Sequence, residues 1–190
     1  MRNSGISFLS FVLCLELLLI TTIYAETKPI EKGATFPDIT FKDNVSKQER
    51  KTLGISQKSN FSFREIPGNL IIIEVFNTYC VSCPKNVPIL NKLYATIEND
   101  PKLNGKVKLF SIAVGNNQNE VKGYRNLHKV LYPVLTDLDF SIHKTLGSPR
   151  VPYAIFVKRS AKGKDIVADT HSGIFDSYDE AMKMLRTILK

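Results

Sequence analysis

The most constraining feature of this sequence is an apolar run that leads directly into two closely spaced cysteines. Residues 70–76 are apolar on both alternating faces except at Glu74, and Cys80 and Cys83 follow. Such a run is typical of a central strand that is buried on both sides. Beyond the cysteines, apolar residues recur at helical spacing, at Val87, Leu90, Leu93, Tyr94 and Ile97. The sequence therefore predicts a buried strand, a cysteine pair at its end and a helix, which Pro88 is predicted to kink.

The rest of the chain continues this alternation of strands and helices. Further strands are predicted at residues 36–41, 60–63, 107–114 and 153–157, with a hairpin partner at 165–168. Further helices are predicted to carry Val121, Tyr124, Leu127 and Leu131, then the short segment 140–146, then 181–189. The polar insert at about residues 43–57 is predicted to be a surface loop. This pattern indicates an α/β fold with a mixed central β-sheet flanked by helices.

Residues 1–25 have the pattern of a secretory signal peptide. Arg2 precedes an apolar stretch over residues 6–20, and cleavage is expected after Ala25. Glu16 interrupts the apolar stretch, which disfavours a permanent membrane helix. We therefore expect an exported, periplasmic protein with one domain over residues 26–190, rather than a protein anchored by an uncleaved leader.

The two cysteines outside this leader are spaced for chemistry rather than for a structural staple. A disulfide stabilises a fold more as the loop that it closes grows, and the loop between Cys80 and Cys83 is short. An inert bridge, a metal site and two buried thiols are the alternatives. No second Cys-x-x-Cys pair exists to complete a structural zinc site. Histidines that could assist copper binding are His128, His143 and His171.

Redox chemistry at this pair requires one ionised, accessible thiol. Cys80 is predicted to lie where the strand ends and the helix begins, so free backbone N–H groups and the helix dipole would stabilise its thiolate. Cys83, one turn later, is placed to attack a mixed disulfide. Cys80 is therefore the predicted nucleophile and Cys83 the predicted resolving residue.

The net charge of +8 points to a solvated basic surface rather than to a nucleic-acid site. The lysines are scattered along the chain instead of forming one block with interleaved aromatic residues. Such a surface attracts acidic partners. We predict no nucleic-acid partner.

Two motifs together resemble the exported thioredoxin-fold proteins of the TlpA and ResA type, the redoxin family. The first is the stretch 77–84, Asn-Thr-Tyr-Cys-Val-Ser-Cys-Pro, and the second is Val151-Pro152 ahead of a later strand. The resemblance extends over residues 33–190. It implies a thioredoxin-like fold, a redox-active disulfide and the activity of a thiol-disulfide oxidoreductase without a cofactor or metal.

The resemblance also implies roles for individual residues. Pro152 would follow a cis peptide bond and face the cysteines, while Val151 would offer its backbone to an extended substrate. Tyr79 stands where the family usually has a tryptophan, at the rim of the substrate-binding surface. Glu74 matches the buried acid that handles the proton of the resolving cysteine, so we predict a general acid/base beside Cys83. The alternative is a carboxylate that faces solvent or pairs with a lysine.

Two departures from the family leave the direction of exchange open. Many ResA-like proteins have a glutamate three residues after the second cysteine, where this chain has Asn86, and the dipeptide Val81-Ser82 is also unusual. The prediction favours a reductase that acts on exported client proteins with cysteine thiols or disulfides and is recharged by a membrane-bound electron donor. The alternatives are a net disulfide oxidase or isomerase, and a Cu(I)-binding metallochaperone.

Overall fold

The computed structural model describes residues 28–42, 45–56, 60–160 and 163–190. The predicted signal peptide and its cleavage site lie outside these residues. The strands are β1 Thr40–Phe41, β2 Phe61–Ser62, β3 Leu70–Phe76, β4 Val107–Val114, β5 Val134–Asp137, β6 Tyr153–Lys158 and β7 Ile166–Ser172. The α-helices are α1 Lys47–Leu53, α2 Val87–Asn99, α3 Gln118–His128, α4 Ser141–Thr145 and α5 Tyr178–Leu189. Among the residues described, no helix combines the length and the apolar character needed to span a membrane.

Five of the strands form one mixed sheet in the order β5-β4-β3-β6-β7. Strands β3, β4 and β5 run parallel to one another, whereas β6 is antiparallel to β3 and β7 is antiparallel to β6. Strands β1 and β2 form a separate antiparallel pair. The predicted α/β fold with a mixed central sheet is confirmed.

Strand β3 occupies the centre of the sheet and is buried on both faces. Ile72 and Phe76 face a core shared with α2, α3 and α5. Ile71 and Ile73 face a second core that includes residues of β1, β2, α1 and α4. Because side chains alternate along a strand, Glu74 lies on the same face as Ile72 and Phe76. This alternation directs Glu74 toward the helix that follows the cysteines.

The segment after the cysteines is not one kinked helix. Residues Cys83–Asn86 form a 3₁₀ turn, and α2 begins only at Val87. Pro88 therefore lies in the first turn of α2, where a backbone N–H has no intrahelical partner to lose. The predicted kink at Pro88 is wrong for this reason.

The polar insert is not only a loop, because α1 forms inside it. Ser46 and Glu49 make a reciprocal capping box at the start of α1, and Gly54 ends the helix in the left-handed conformation with φ of 74°. Glu49 pairs with Arg125 at 2.7 Å, and Leu53 is fully buried. The prediction of a surface loop throughout residues 43–57 is therefore wrong. The capping box was the local signal for this helix.

Helix α3 is shorter than its apolar pattern suggested. Val121 and Tyr124 are buried as expected, but Leu127 is 74% exposed. Lys129 adopts the left-handed conformation and ends the helix before Leu131, which is also exposed. The prediction that this helix carries Leu131 is wrong, because the helix ends at Lys129, whereas Leu127 lies within it on an exposed face.

Candidate active site

The two cysteines form a disulfide immediately beyond the end of β3. Cys83 is 1% exposed, whereas Cys80 is only partly buried. The backbone N–H of Cys83 points at Cys80 Sγ over 3.1 Å, and Ser82 Oγ lies 3.4 Å from the same sulfur. A donor aimed at a sulfur favours its ionised form once the disulfide is reduced. The structure thus leaves the sulfur of Cys80 partly accessible and buries the sulfur of Cys83.

The loop between β3 and Cys80 is held by side-chain amides. Asn77 Nδ2 donates to the carbonyl of Val114 at 2.6 Å, at the end of the neighbouring strand β4. Asn116, which is fully buried, accepts from the Thr78 N–H at 2.9 Å and donates to Thr78 Oγ1 at 2.7 Å. The carbonyl of Asn77 accepts from the Cys80 N–H at 3.1 Å. The position of Cys80 is therefore tied to the ends of both central parallel strands.

Tyr79 stands at the rim of this loop, with 73% of its surface exposed. Its hydroxyl donates to Glu120 Oε1 at 2.5 Å. That hydrogen bond is the main cause that lowers the pKa of Glu120 and raises the pKa of Tyr79. The ring is thus exposed yet oriented by a bond at its far end.

The Val151–Pro152 peptide bond is cis, as the resemblance implied. The Val151 carbonyl oxygen lies 3.8 Å from Cys80 Sγ, so this loop borders the accessible sulfur. Pro152 is buried, and its carbonyl accepts from the Gly173 N–H at 2.8 Å. The structure therefore brings Val151 and Pro152 beside the cysteine pair.

Glu74 is 3% exposed and receives hydrogen bonds from three neutral side chains. Ser111 Oγ donates to Oε2 at 2.9 Å, Tyr132 Oη donates to Oε2 at 3.3 Å, and Asn86 Nδ2 donates to Oε1 at 3.3 Å. Burial raises the pKa of Glu74 to about 7, and the three hydrogen bonds oppose that rise. The carboxyl group can therefore both give and take a proton near neutral pH. Its neighbours are neutral, so the alternative of a solvent-facing or lysine-paired carboxylate does not fit.

Asn86 connects the buried acid to the cysteine turn. It is 1% exposed and is the last residue of the 3₁₀ turn that Cys83 begins. Its Oδ1 accepts from the Phe175 N–H at 2.9 Å, and its Nδ2 also lies 3.4 Å from the Gly173 carbonyl oxygen. Asn86 therefore joins Glu74, the cysteine turn and the loop between β7 and α5.

Comparisons with known proteins agree with this geometry. No protein-family model matches the chain. It is 21% identical to the thiol-disulfide oxidoreductase ResA of Geobacillus thermodenitrificans over 153 residues, which cover 78% of each protein. A thiol:disulfide interchange protein from a Bacteroides species has a solved structure with a TM-score of 0.59 and 14% identity, covering 83% of this chain and 90% of its own. StoA from Bacillus subtilis has a TM-score of 0.56 and 17% identity, covering 80% of this chain and 99% of its own.

The chain is a thiol-disulfide oxidoreductase that is similar to ResA. Its thioredoxin-like fold, predicted from the two motifs, is confirmed. The disulfide at the end of β3 is the group that such an activity requires.

Sequence reasoning missed three residues of this ResA-like site. Asn86 lies on the same helical stripe as the buried Leu90, which could have marked it as a polar residue at a core position. Ser111 pairs directly with Glu74 in the register of β3 and β4. Tyr132 lies outside the two motifs, just before β5. Two polar residues at adjacent positions of two buried strands are the signal that could have found Ser111.

The histidines considered for copper are engaged elsewhere. His143 Nε2 lies 2.9 Å from the Pro149 carbonyl oxygen, and His171 Nε2 lies 3.1 Å from the carbonyl oxygen of Ile174. His128 packs against the ring of Tyr124. Within the described ranges, no three Cys, His, Asp or Glu side chains gather as a metal site. No contact of these histidines supports the copper alternative.

Proposed function

We propose that the protein exchanges disulfides with exported client proteins, with Cys80 as the attacking sulfur and Cys83 as the resolving sulfur. The observation that carries this proposal is the unequal exposure of the two cysteines. Cys80 is partly buried at the rim, and Cys83 is 1% exposed. A client disulfide reaches only the sulfur at the surface, whereas the second attack is intramolecular and needs no access from outside.

In the reductive direction, the Cys80 thiolate attacks one sulfur of a client disulfide. The client S–S bond breaks, a Cys80–client disulfide forms and the other client sulfur leaves as a thiolate. The Cys83 thiolate then attacks Cys80 Sγ, so the mixed disulfide breaks and the second client sulfur is released. The client gains two electrons and two protons, and the protein is left with the Cys80–Cys83 disulfide.

Glu74 is proposed to act as the base that takes the proton of Cys83 in the second step. Its pKa of about 7 suits proton transfer at neutral pH, and its hydrogen bond to Asn86 connects it to the turn that Cys83 begins. A Glu74→Gln variant should resolve the mixed disulfide more slowly, and its rate should lack the inflection near pH 7. An unchanged rate and pH profile would remove Glu74 from the mechanism.

The surface around Cys80 is proposed to bind the client segment. The Val151 carbonyl, at 3.8 Å from Cys80 Sγ, is placed to accept a backbone hydrogen bond from an extended chain. Pro152 shapes that loop, and the exposed ring of Tyr79 offers apolar area at the rim. These three residues are the proposed substrate-binding group.

The reaction needs a partner that restores the dithiol after each turnover. We propose a membrane-bound dithiol donor, whose own thiols become a disulfide as Cys80 and Cys83 are reduced. The pattern of residues 1–25 supports export by a cleaved signal peptide, and the similarity to ResA supports the same class of activity. The proposed compartment is the periplasm.

Trapping of clients tests the proposal directly. A Cys83→Ser variant should accumulate mixed disulfides between Cys80 and exported proteins, because the resolving sulfur is missing. A Cys80→Ser variant is the matched control and should accumulate none. Mixed disulfides that form equally well on Cys83, or on neither cysteine, would refute the assigned roles.

The direction of exchange is tested by the reduction potential. We propose a reductase, so equilibration with a glutathione buffer should give a value near that of thioredoxin, about −270 mV. A value close to that of a strong oxidant, about −120 mV, would instead identify a net oxidase. The Val81-Ser82 dipeptide between the cysteines makes this measurement necessary, since the residues between the sulfurs tune the potential.

A further inference from the structure

A shallow cavity opens directly beside the reactive disulfide. Its volume is about 470 Å³, and its walls include Asn77, Phe140, His143, Pro149, Arg150 and Val151. Two of these residues also belong to the site, because Asn77 holds Cys80 through a backbone hydrogen bond and the Val151 carbonyl lies 3.8 Å from Cys80 Sγ. We call this space the side cavity. It is continuous with the surface at which a client cysteine must bind.

The backbone around the side cavity is strained. Among the residues described, Phe140, Ser148 and Lys129 are the non-glycine residues with positive φ, at 59°, 52° and 57°. Phe140 and Ser148 both line the side cavity, whereas Lys129 ends a helix. A bulky residue such as phenylalanine rarely adopts this conformation, and strain of this kind is concentrated at functional sites.

The strained conformation places an aromatic ring in the wall of the side cavity. The far edge of the Phe140 ring lies against Gly115, where an added β-carbon would overlap the ring atom Cζ. Phe140 remains 44% exposed. The edge of the ring is therefore held against a glycine, while a large part of the residue's surface stays available to a ligand.

Internal hydrogen bonds fix the opposite wall. His143 Nε2 lies 2.9 Å from the Pro149 carbonyl oxygen, and the Ser148 N–H donates to the His143 carbonyl at 2.9 Å. Pro149 is buried. The side cavity thus has a preformed shape, which lowers the entropic cost of filling it.

Arg150 adds a positive charge at the rim. It is exposed, it immediately precedes Val151, and it has no ion pair within the described part of the chain. Apolar lining residues and an exposed guanidinium therefore lie next to each other, beside the sulfur that attacks a client disulfide. This combination is complementary to an apolar side chain that neighbours a carboxylate.

We propose that the side cavity is a specificity subsite for client segments that carry an apolar side chain and an acidic residue close to the reacting cysteine. The apolar side chain packs on Phe140, and the carboxylate pairs with Arg150. An extended chain advances about 3.3 Å per residue, so positions one or two residues from the client cysteine reach the side cavity. This inference rests on the proposed function and names the class of client for the same site.

Disulfide-linked peptide dimers test the subsite with the reduced full-length protein. Each of three peptides has a single cysteine with two neighbouring test residues, which are Phe and Glu in the first, Phe and Lys in the second, and Ser and Glu in the third. Acid quenching and chromatography measure the rate at which each peptide disulfide is reduced. The Phe and Glu peptide should react fastest. Its rate of reduction should exceed that of the Phe and Lys peptide by about fivefold at low salt, which is the effect expected from one surface ion pair.

Variants separate the two contacts. Arg150→Glu should reverse the preference between the Glu and Lys peptides, and its exposed position leaves the fold intact. Arg186→Glu, on α5 and the opposite face of the sheet, is the matched charge control and should change nothing. Phe140→Gly suits the positive φ, and it should remove the preference for the Phe peptide over the Ser peptide.

A small disulfide without side chains, 2-hydroxyethyl disulfide, reports the cysteine chemistry alone. Equal rates for the three peptides, with 2-hydroxyethyl disulfide also reduced, would overturn the subsite and leave the proposed function standing. A charge preference that survives Arg150→Glu would overturn the role of Arg150. If the protein reduces none of the four disulfides, the proposed function and the subsite are both overturned.

Discussion

The two sides of the Cys80–Cys83 disulfide are environments of opposite character. Around Cys80 the chain is open: Val81 is 92% exposed, and Arg150 is exposed. Around Cys83 it is closed, and the buried Glu74 is bound through Asn86 to the same turn. Cys80 therefore faces the surface, where different client proteins can bind. Cys83, three positions later, faces a core whose contacts are fixed. The proposed recognition of clients belongs to the first environment, and the proposed proton transfer by Glu74 belongs to the second.

The largest expected difference between the two sides is in thiol reactivity. In the reduced protein at pH 7, iodoacetamide should alkylate Cys80 at least about 100-fold faster than Cys83, because only Cys80 combines access with a donor aimed at its sulfur. The measurement compares the single variants Cys80→Ser and Cys83→Ser by mass spectrometry. Equal rates would remove the contrast between an open and a closed side.

The next effect concerns the buried acid. The pKa of Glu74 is about 7 in the folded protein and 4.5 ordinarily, so the folded state holds more protons between these values and loses stability as pH rises through them. Glu74→Gln should therefore gain stability over the parent by up to about 3 kcal/mol at pH 8, and by almost nothing below pH 4.5. Urea unfolding of the oxidised protein at both pH values measures it.

Glu31→Gln provides the control for this experiment, because Glu31 is exposed. Its difference from the parent should be small and should not change between the two pH values. A Glu74→Gln effect that is equally independent of pH would contradict the buried, mainly neutral acid.

A smaller effect is expected from the residue that joins the acid to the cysteine turn. Asn86→Leu leaves the Phe175 N–H without its partner, which should cost about 1–3 kcal/mol of unfolding free energy. It also removes a hydrogen bond that lowers the pKa of Glu74, so that pKa should rise above its present value of about 7. The pH dependence of urea unfolding measures both changes. Asn126→Leu, at an exposed position of α3, should show neither.

The smallest effect is expected on the open side. Tyr79→Phe removes one exposed hydrogen bond to Glu120, so the unfolding free energy should change by less than about 0.5 kcal/mol. The pKa of Glu120, which this bond lowers, should rise, as measured by NMR titration. A large loss of unfolding free energy would mean that contacts at the rim contribute as much to stability as contacts in the core.

The difference between the two sides also explains what sequence reasoning could reach. Strand β3, the cysteine pair and the cis bond before Pro152 each have a local pattern or motif, and they were predicted. The contact between Glu74 and Asn86 depends on how α2 and its preceding turn pack across β3, which no local pattern encodes. The short helix α1 has a local signal in its capping box, but its segment has little apolar content, and tertiary contacts such as Glu49 with Arg125 help to stabilise it.

The side cavity was unpredictable for a related reason. Asn77, Phe140 and Arg150 come from three separate loops, and they meet only once the order of the strands is known. The residue type at position 140 does not predict its backbone conformation, since the left-handed region is ordinarily adopted by glycine and asparagine. The proposed subsite therefore depends on the topology of the sheet, whereas the redox pair can be predicted from the local sequence.

The central place of β3 has a consequence for hydrogen exchange. Its residues pair with β4 on one side and β6 on the other, and all seven are buried. Amide protons in such a strand exchange with deuterium only when the whole domain opens. The deuterium uptake of Ile72 and Ile73 can therefore be compared between the oxidised and reduced forms. The difference in their exchange rates would report how much the Cys80–Cys83 disulfide, at the end of the strand, stabilises the whole domain against opening.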